Sequence, residues 1–144
     1  MKLRLVIAAI ALSAASPLAA QTIDYAERAR DLETLAGIFG ELHHIRRMCE
    51  PRSEGEIWRE RMRKLIELED PQPALRDRMV SAFNSGFYGA EKQYPYCDRD
   101  ARDHAASIAT QGDAVTAKLM APLYKSLGET GALPNVQRGA SEPQ

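Results

Sequence analysis

The chain has 144 residues, with 19 Lys and Arg against 20 Asp and Glu, giving a formal net charge of −1. That balance, with only 6% aromatic residues, excludes the basic, ring-bearing surface of a nucleic-acid binder. The length suits one folded domain.

Lys2 and Arg4 stand before the apolar run Leu5 to Leu12, and Ser13 to Pro17 lead to Leu18-Ala19-Ala20-Gln21. This is the order of a secretory signal peptide, with cleavage expected after Ala20. The apolar run is far shorter than the roughly 20 residues of a spanning helix, so no stable membrane insertion is expected after cleavage. The remaining chain would carry 17 basic and 20 acidic residues, a charge of −3. A periplasmic location follows from the leader. A helical domain is expected over residues 21–127, and a disordered tail over 128–144, which lacks a periodic apolar face.

From Asp24 to Cys49 there is no proline, and Leu35, Ile38, Leu42, Ile45 and Cys49 recur at helical spacing, flanked by Leu32 and Phe39. Pro51 breaks this first helix. Ser53-x-x-Glu56 has the form of a capping box for a second, running to about Glu69. Its buried face would hold Trp58, Met62, Leu65 and Leu68. Asp70-Pro71-Gln72-Pro73 stops it, because proline lacks an amide donor and biases its predecessor away from helical angles.

A third helix is expected from Pro73 towards Pro95, with an apolar face of Leu75, Met79, Ala82, Phe83, Gly86, Phe87, Ala90 and Tyr94. Within it Ala82, Gly86 and Ala90 are small and four apart, which would let another helix come close. Asp98 can cap a fourth helix. There Ala101, Ala105, Ile108, Gly112, Val115 and Leu119 alternate at four and three residue steps, the pattern of a helix–helix seam. Pro122 should kink or end that helix. The fold class is therefore all-α, a bundle of about four helices.

Two cysteines at opposite ends of this arrangement, Cys49 and Cys97, read as a structural disulfide in an oxidising compartment, ahead of metal, redox or intermolecular roles. His43, His44 and His104 do not converge with them by spacing, so no metal or cofactor is expected, and the histidines are read as surface or boundary residues. No catalytic residue is assigned: there is no Gly-x-Ser-x-Gly elbow, and no glycine-rich phosphate loop with its lysine. Asp98, Asp100 and Asp103 suit the first turns of a helix. Arg46 falls on the apolar stripe of helix one, and a structural ion pair with Asp98 or Asp100 across the disulfide is expected, the alternative being a stem laid over the core edge. Phe87, Tyr88, Tyr94 and Tyr96 form the candidate binding surface, with core packing as the competing reading.

The run Leu35-Ala-Gly-Ile-Phe-Gly-Glu-Leu-His-His-Ile-Arg-Arg-Met-Cys49, the pattern Trp58-Arg59-x-x-Met62-x-x-Leu65, and Met79-Val-Ser-Ala-Phe-Asn-Ser-Gly-Phe-Tyr88 leading to Tyr94-Pro-Tyr-Cys97 resemble an uncharacterised family of alphaproteobacterial exported proteins with two well-separated cysteines. The resemblance covers about Leu32 to Ala109. It implies export and a disulfide, and it carries no reaction. The expected role is non-enzymatic binding or scaffolding in the cell envelope, with an envelope protein or a peptidoglycan component as partner. A chaperone, inhibitor or immunity-type protein is the alternative, and a hydrolase using His104 or His43 is a more distant one.

Overall fold

The computed structural model describes residues 17–50 and 55–126. The described residues form four α-helices and no strand: α1 (Pro17–Cys49), α2 (Ile57–Glu69), α3 (Pro73–Gln93) and α4 (Arg99–Ser126). Most of the expected leader, the expected tail and the Ser53 of the capping box lie outside the described residues. Within them α1 begins seven residues before Asp24, and α2 begins at Ile57 with Glu56 at its N-cap making no side-chain capping bond. Asp70 stops α2 in the left-handed region, at φ 39°, and its amide donates to the Ile66 carbonyl. Pro73 opens α3, where its missing amide costs nothing. Asp98 Oδ1 accepts from the Ala101 amide at 2.8 Å and so caps α4. That helix continues through Pro122 to Ser126, since only one turn follows the proline.

Pairwise contacts set the directions. Phe39 meets Trp58 and Arg28 meets Glu69, so α2 runs antiparallel to α1. Glu33 pairs with Arg78 and His44 with Tyr94, so α3 runs parallel to it. Asp31 pairs with Lys118 and Cys49 with Cys97, so α4 is antiparallel. The helices thus run up, down, up, down, yet close backbone approach is concentrated between α1 and each of the other three.

The first and third helices meet backbone to backbone, at Gly37 and Gly40 of α1 and Ala82 and Gly86 of α3. A methyl group built on Gly40 would lie 2.8 Å from the Phe83 carbonyl carbon and 2.9 Å from the Phe87 amide nitrogen. The small face predicted on α3 therefore receives α1. Two clusters of buried side chains line the hub. One joins Leu32, Leu35 and Ala36 to Met62, Leu75, Met79 and Leu119; the other joins Ile38, Leu42 and Ile45 to Ala101, Ala105 and Ile108. On α2 the buried face differs from expectation: Leu68 is 71% exposed, and Ile66 packs with Leu65 on the core instead. The polar tie across this end is Arg28, which donates to both carboxylate oxygens of Glu69 and, at 3.0 Å, to the Leu119 carbonyl. One guanidinium thereby holds α1, α2 and α4.

Candidate binding site

At the C-terminal half of α1 the chain gathers all three of its histidines with rings from α3 and the loop after it. The Tyr88 ring stands edge-on to Phe87, with centroids 5.4 Å apart; Phe87 meets His44 edge-on at 5.5 Å and His43 at 5.6 Å, and His43 meets Phe83 at 5.7 Å. His44 Nε2 is 2.9 Å from the Tyr94 carbonyl. The Tyr94 ring stacks on His104 at 4.8 Å, and His104 Nε2 is 2.8 Å from Glu41 Oε2. A continuous path of ring and hydrogen-bond contacts thus runs from the outer side of α3, through α1, to α4.

This corrects the placement of His43 as a surface or boundary residue, while His44 and His104 are half-buried at the boundary, as expected. His43 is buried, 3% exposed, because α1 is covered on three sides, so its flank is as dry as its apolar stripe. His43 Nδ1 has no hydrogen-bond partner among the described residues. Burial holds the ring below the usual histidine pKa of 6.5; the charges of Arg47 and Arg59 push the same way, while the Glu56 charge opposes them. The unfolded chain therefore binds this proton more readily than the folded one. The resulting stability is fully present above pH 6.5 and is lost as the pH falls from there through the folded value. We expect the denaturation midpoint of the wild type to fall relative to that of His43→Leu between pH 7.5 and 5.5. The loss should be at most about 1.4 kcal/mol per pH unit. Parallel curves for the two proteins would show that His43 does not titrate in this way.

The four candidate aromatics separate into different environments. Phe87 is half-buried inside the ring path. Tyr88 is 58% exposed on the outer side of α3. Tyr94 turns inward onto His104, while its hydroxyl accepts from Gln93 Nε2 at 3.1 Å. Tyr96 is 76% exposed in the loop before Cys97. The core reading thus applies to Phe87 and Tyr94, and Tyr88 and Tyr96 stay at the surface. Tyr88 borders a wide-open, shallow depression of about 600 Å³ on the outer face of α3, with Asp77, Val80, Ser81, Asn84, Ser85 and Lys92, all on this one helix. Its lining combines a ring face and an aliphatic patch with hydroxyl, amide, ammonium and carboxylate groups.

The expected ion pair of Arg46 with Asp98 or Asp100 does not form. Arg46 Nη1 reaches Glu50 Oε1 at 2.7 Å, one turn along its own helix, while Asp98 is engaged in capping α4 and Asp100 is exposed in the first turn of that helix. A local i,i+4 partner needs no ordering of a second element. Cys49 and Cys97 are bonded, with Cα atoms 5.2 Å apart. Among the described residues no group of three or more His, Cys, Asp or Glu is arranged to hold a metal ion. No described helix is long and apolar enough to cross a membrane.

A family model described as "Protein of unknown function (DUF2385)" matches residues 28–123, from the Arg28 tie to the last turn of α4. No curated protein and no solved structure matches the chain.

Proposed function

We propose, from the premise that this chain belongs to the DUF2385 family, that it is an exported, non-enzymatic binding protein of the cell envelope. Its partner is a peptidoglycan component, held on the outer side of α3. The observation that carries this reading is the depression beside Tyr88, where an exposed ring adjoins the hydroxyls of Ser81 and Ser85 and the amide of Asn84. Sugar faces stack on such rings, and their hydroxyls exchange hydrogen bonds with such side chains. The Tyr88 ring stands edge-on to Phe87, which itself packs against His43 and His44, so little side-chain freedom would be lost on binding. The disulfide supports an oxidising compartment, in agreement with the charged and apolar order of the leader.

The test is cosedimentation of the full chain with purified peptidoglycan sacculi. Wild type and Leu68→Ala should bind alike, and Tyr88→Ala should lower the bound fraction several-fold at equal thermal stability. Absence of wild-type binding would reject the glycan partner and move the search to envelope proteins crosslinked through the same face. Export is checked by the intact mass of protein recovered from the periplasm: a chain starting at Gln21, with thiols that alkylate only after reduction, is expected.

A further inference from the structure

The Cys49–Cys97 disulfide closes the end of α1 onto the segment just ahead of α4, and both cysteines are only half-buried. A small cleft of about 110 Å³ opens beside it, bordered by Cys49, Ile45, Arg46, Glu50, Arg102 and Ala105. The two arginines there are employed differently. Arg46 is engaged with the Glu50 carboxylate. Arg102 makes no ion pair among the described residues, and its Nη1 points at Cys97 Sγ, 3.5 Å away. A guanidinium beside sulfur favours the thiolate over the thiol. Cys49 therefore borders a cleft whose net charge, with Arg46 paired to Glu50, is the one positive charge of Arg102, and Cys97 sits beside that same guanidinium, where a departing negative charge is stabilised.

We propose that this disulfide is a thiol-exchange site for small anionic thiols. The thiolate of the incoming molecule attacks Cys49 Sγ from the cleft. A new sulfur–sulfur bond forms between the incoming sulfur and Cys49, the Cys49–Cys97 bond breaks, and its electron pair leaves on Cys97 as a thiolate beside Arg102. The incoming thiol is oxidised to the disulfide level as the Cys97 sulfur is reduced, and no further reactant is needed. The direction follows from the leaving group, since exchange is faster when the departing thiol has the lower pKa. The mixed disulfide on Cys49 would leave the Tyr94 to Cys97 segment attached to α1 only through its noncovalent contacts, including the His44 hydrogen bond to Tyr94. The site is independent of the depression on α3 and of the partner proposed for it.

The experiment uses the oxidised full chain, without denaturant at neutral pH, mixed with reduced glutathione as the anionic thiol. The reaction is quenched by alkylation and the adduct is located by peptide mass. The expected result is glutathione on Cys49 and the alkyl group on Cys97, formed faster than global unfolding. Arg102→Gln should slow the reaction about ten-fold, as a leaving-group effect of this kind implies, and Arg76→Gln, on an exposed face of α3, should not. Equal melting temperatures would separate this effect from a loss of fold. Glutathione found mainly on Cys97, equal rates for wild type and Arg102→Gln, or reaction only at the rate of global unfolding would each overturn the proposal.

Discussion

Gly86→Ala should lower stability by about 3 kcal/mol or more, at the upper end of what overpacking costs. The added methyl would lie 3.0 Å from the Gly37 carbonyl carbon and 3.2 Å from the Glu41 amide nitrogen, and closer still to the Gly37 oxygen. Backbone stands on both sides of this contact, so no rotamer change relieves it. The helices must part, and parting them uncovers Met79 and Ala36, both fully buried beside the crossing. For a domain of about 100 residues a loss of that size lowers the melting temperature by roughly 15 °C.

Two neighbouring glycines make the measurement specific. At Gly37 the nearest atom to a new methyl is the Ala82 oxygen at 3.7 Å, an ordinary contact, so Gly37→Ala should cost nothing and gain up to about 1 kcal/mol of helix propensity. Gly89 has nothing within 4 Å, and Gly89→Ala should gain up to about 1 kcal/mol from the reduced freedom of the unfolded helix residue. Thermal and urea unfolding should place Gly86→Ala well below the other two variants. A Gly86→Ala protein as stable as Gly37→Ala would mean that α1 and α3 do not cross here.

Loss of the disulfide is the other large effect. Closing a loop with a sequence separation of 48 is worth about 4 kcal/mol in the chain-entropy account. Total stabilities of about 5 to 15 kcal/mol are usual, so removal leaves a marginal domain. Cys49→Ser and Cys97→Ser should each lose that amount, and the double variant should lose no more than either single one, because all three lack the same bond. Urea unfolding of the oxidised wild type against the three variants reads this directly. A double variant markedly less stable than both singles would show that each side chain contributes by packing apart from the bond.

Much of this fold is legible in the chain because three helices each bury one face. The Ala101 to Leu119 repeat of α4 is buried at nearly every step, since α4 leans on a single neighbour. The small positions of α3 are also visible as a pattern, while their counterparts Gly37 and Gly40 lie inside an apolar run that hides them. For α1 the one-face assumption fails. Its stripe from Leu35 to Ile45 is readable, but burial extends around the helix to Ala36 and His43, and only the third dimension shows that those flanks are covered. That is why the histidine and aromatic path, with the Glu41–His104 contact across 63 positions of sequence, was not readable from spacing. Arg46 illustrates the opposite difficulty. Its position on the stripe is visible, but the choice between a distant aspartate and Glu50 one turn away depends on whether Asp98 is already engaged, and it is.

The central place of α1 also sets the order in which the molecule can come apart. Close backbone approach lies mainly between α1 and its neighbours, so each outer helix leans chiefly on the same support and only weakly on the others. Of the three, α2 is the shortest, and Arg28–Glu69 secures its far end. It can detach while α1, α3 and α4 stay joined through the glycine crossing and the disulfide. Hydrogen exchange should accordingly report a low-energy opening of α2, whereas the amides of α1 exchange only when the whole domain opens.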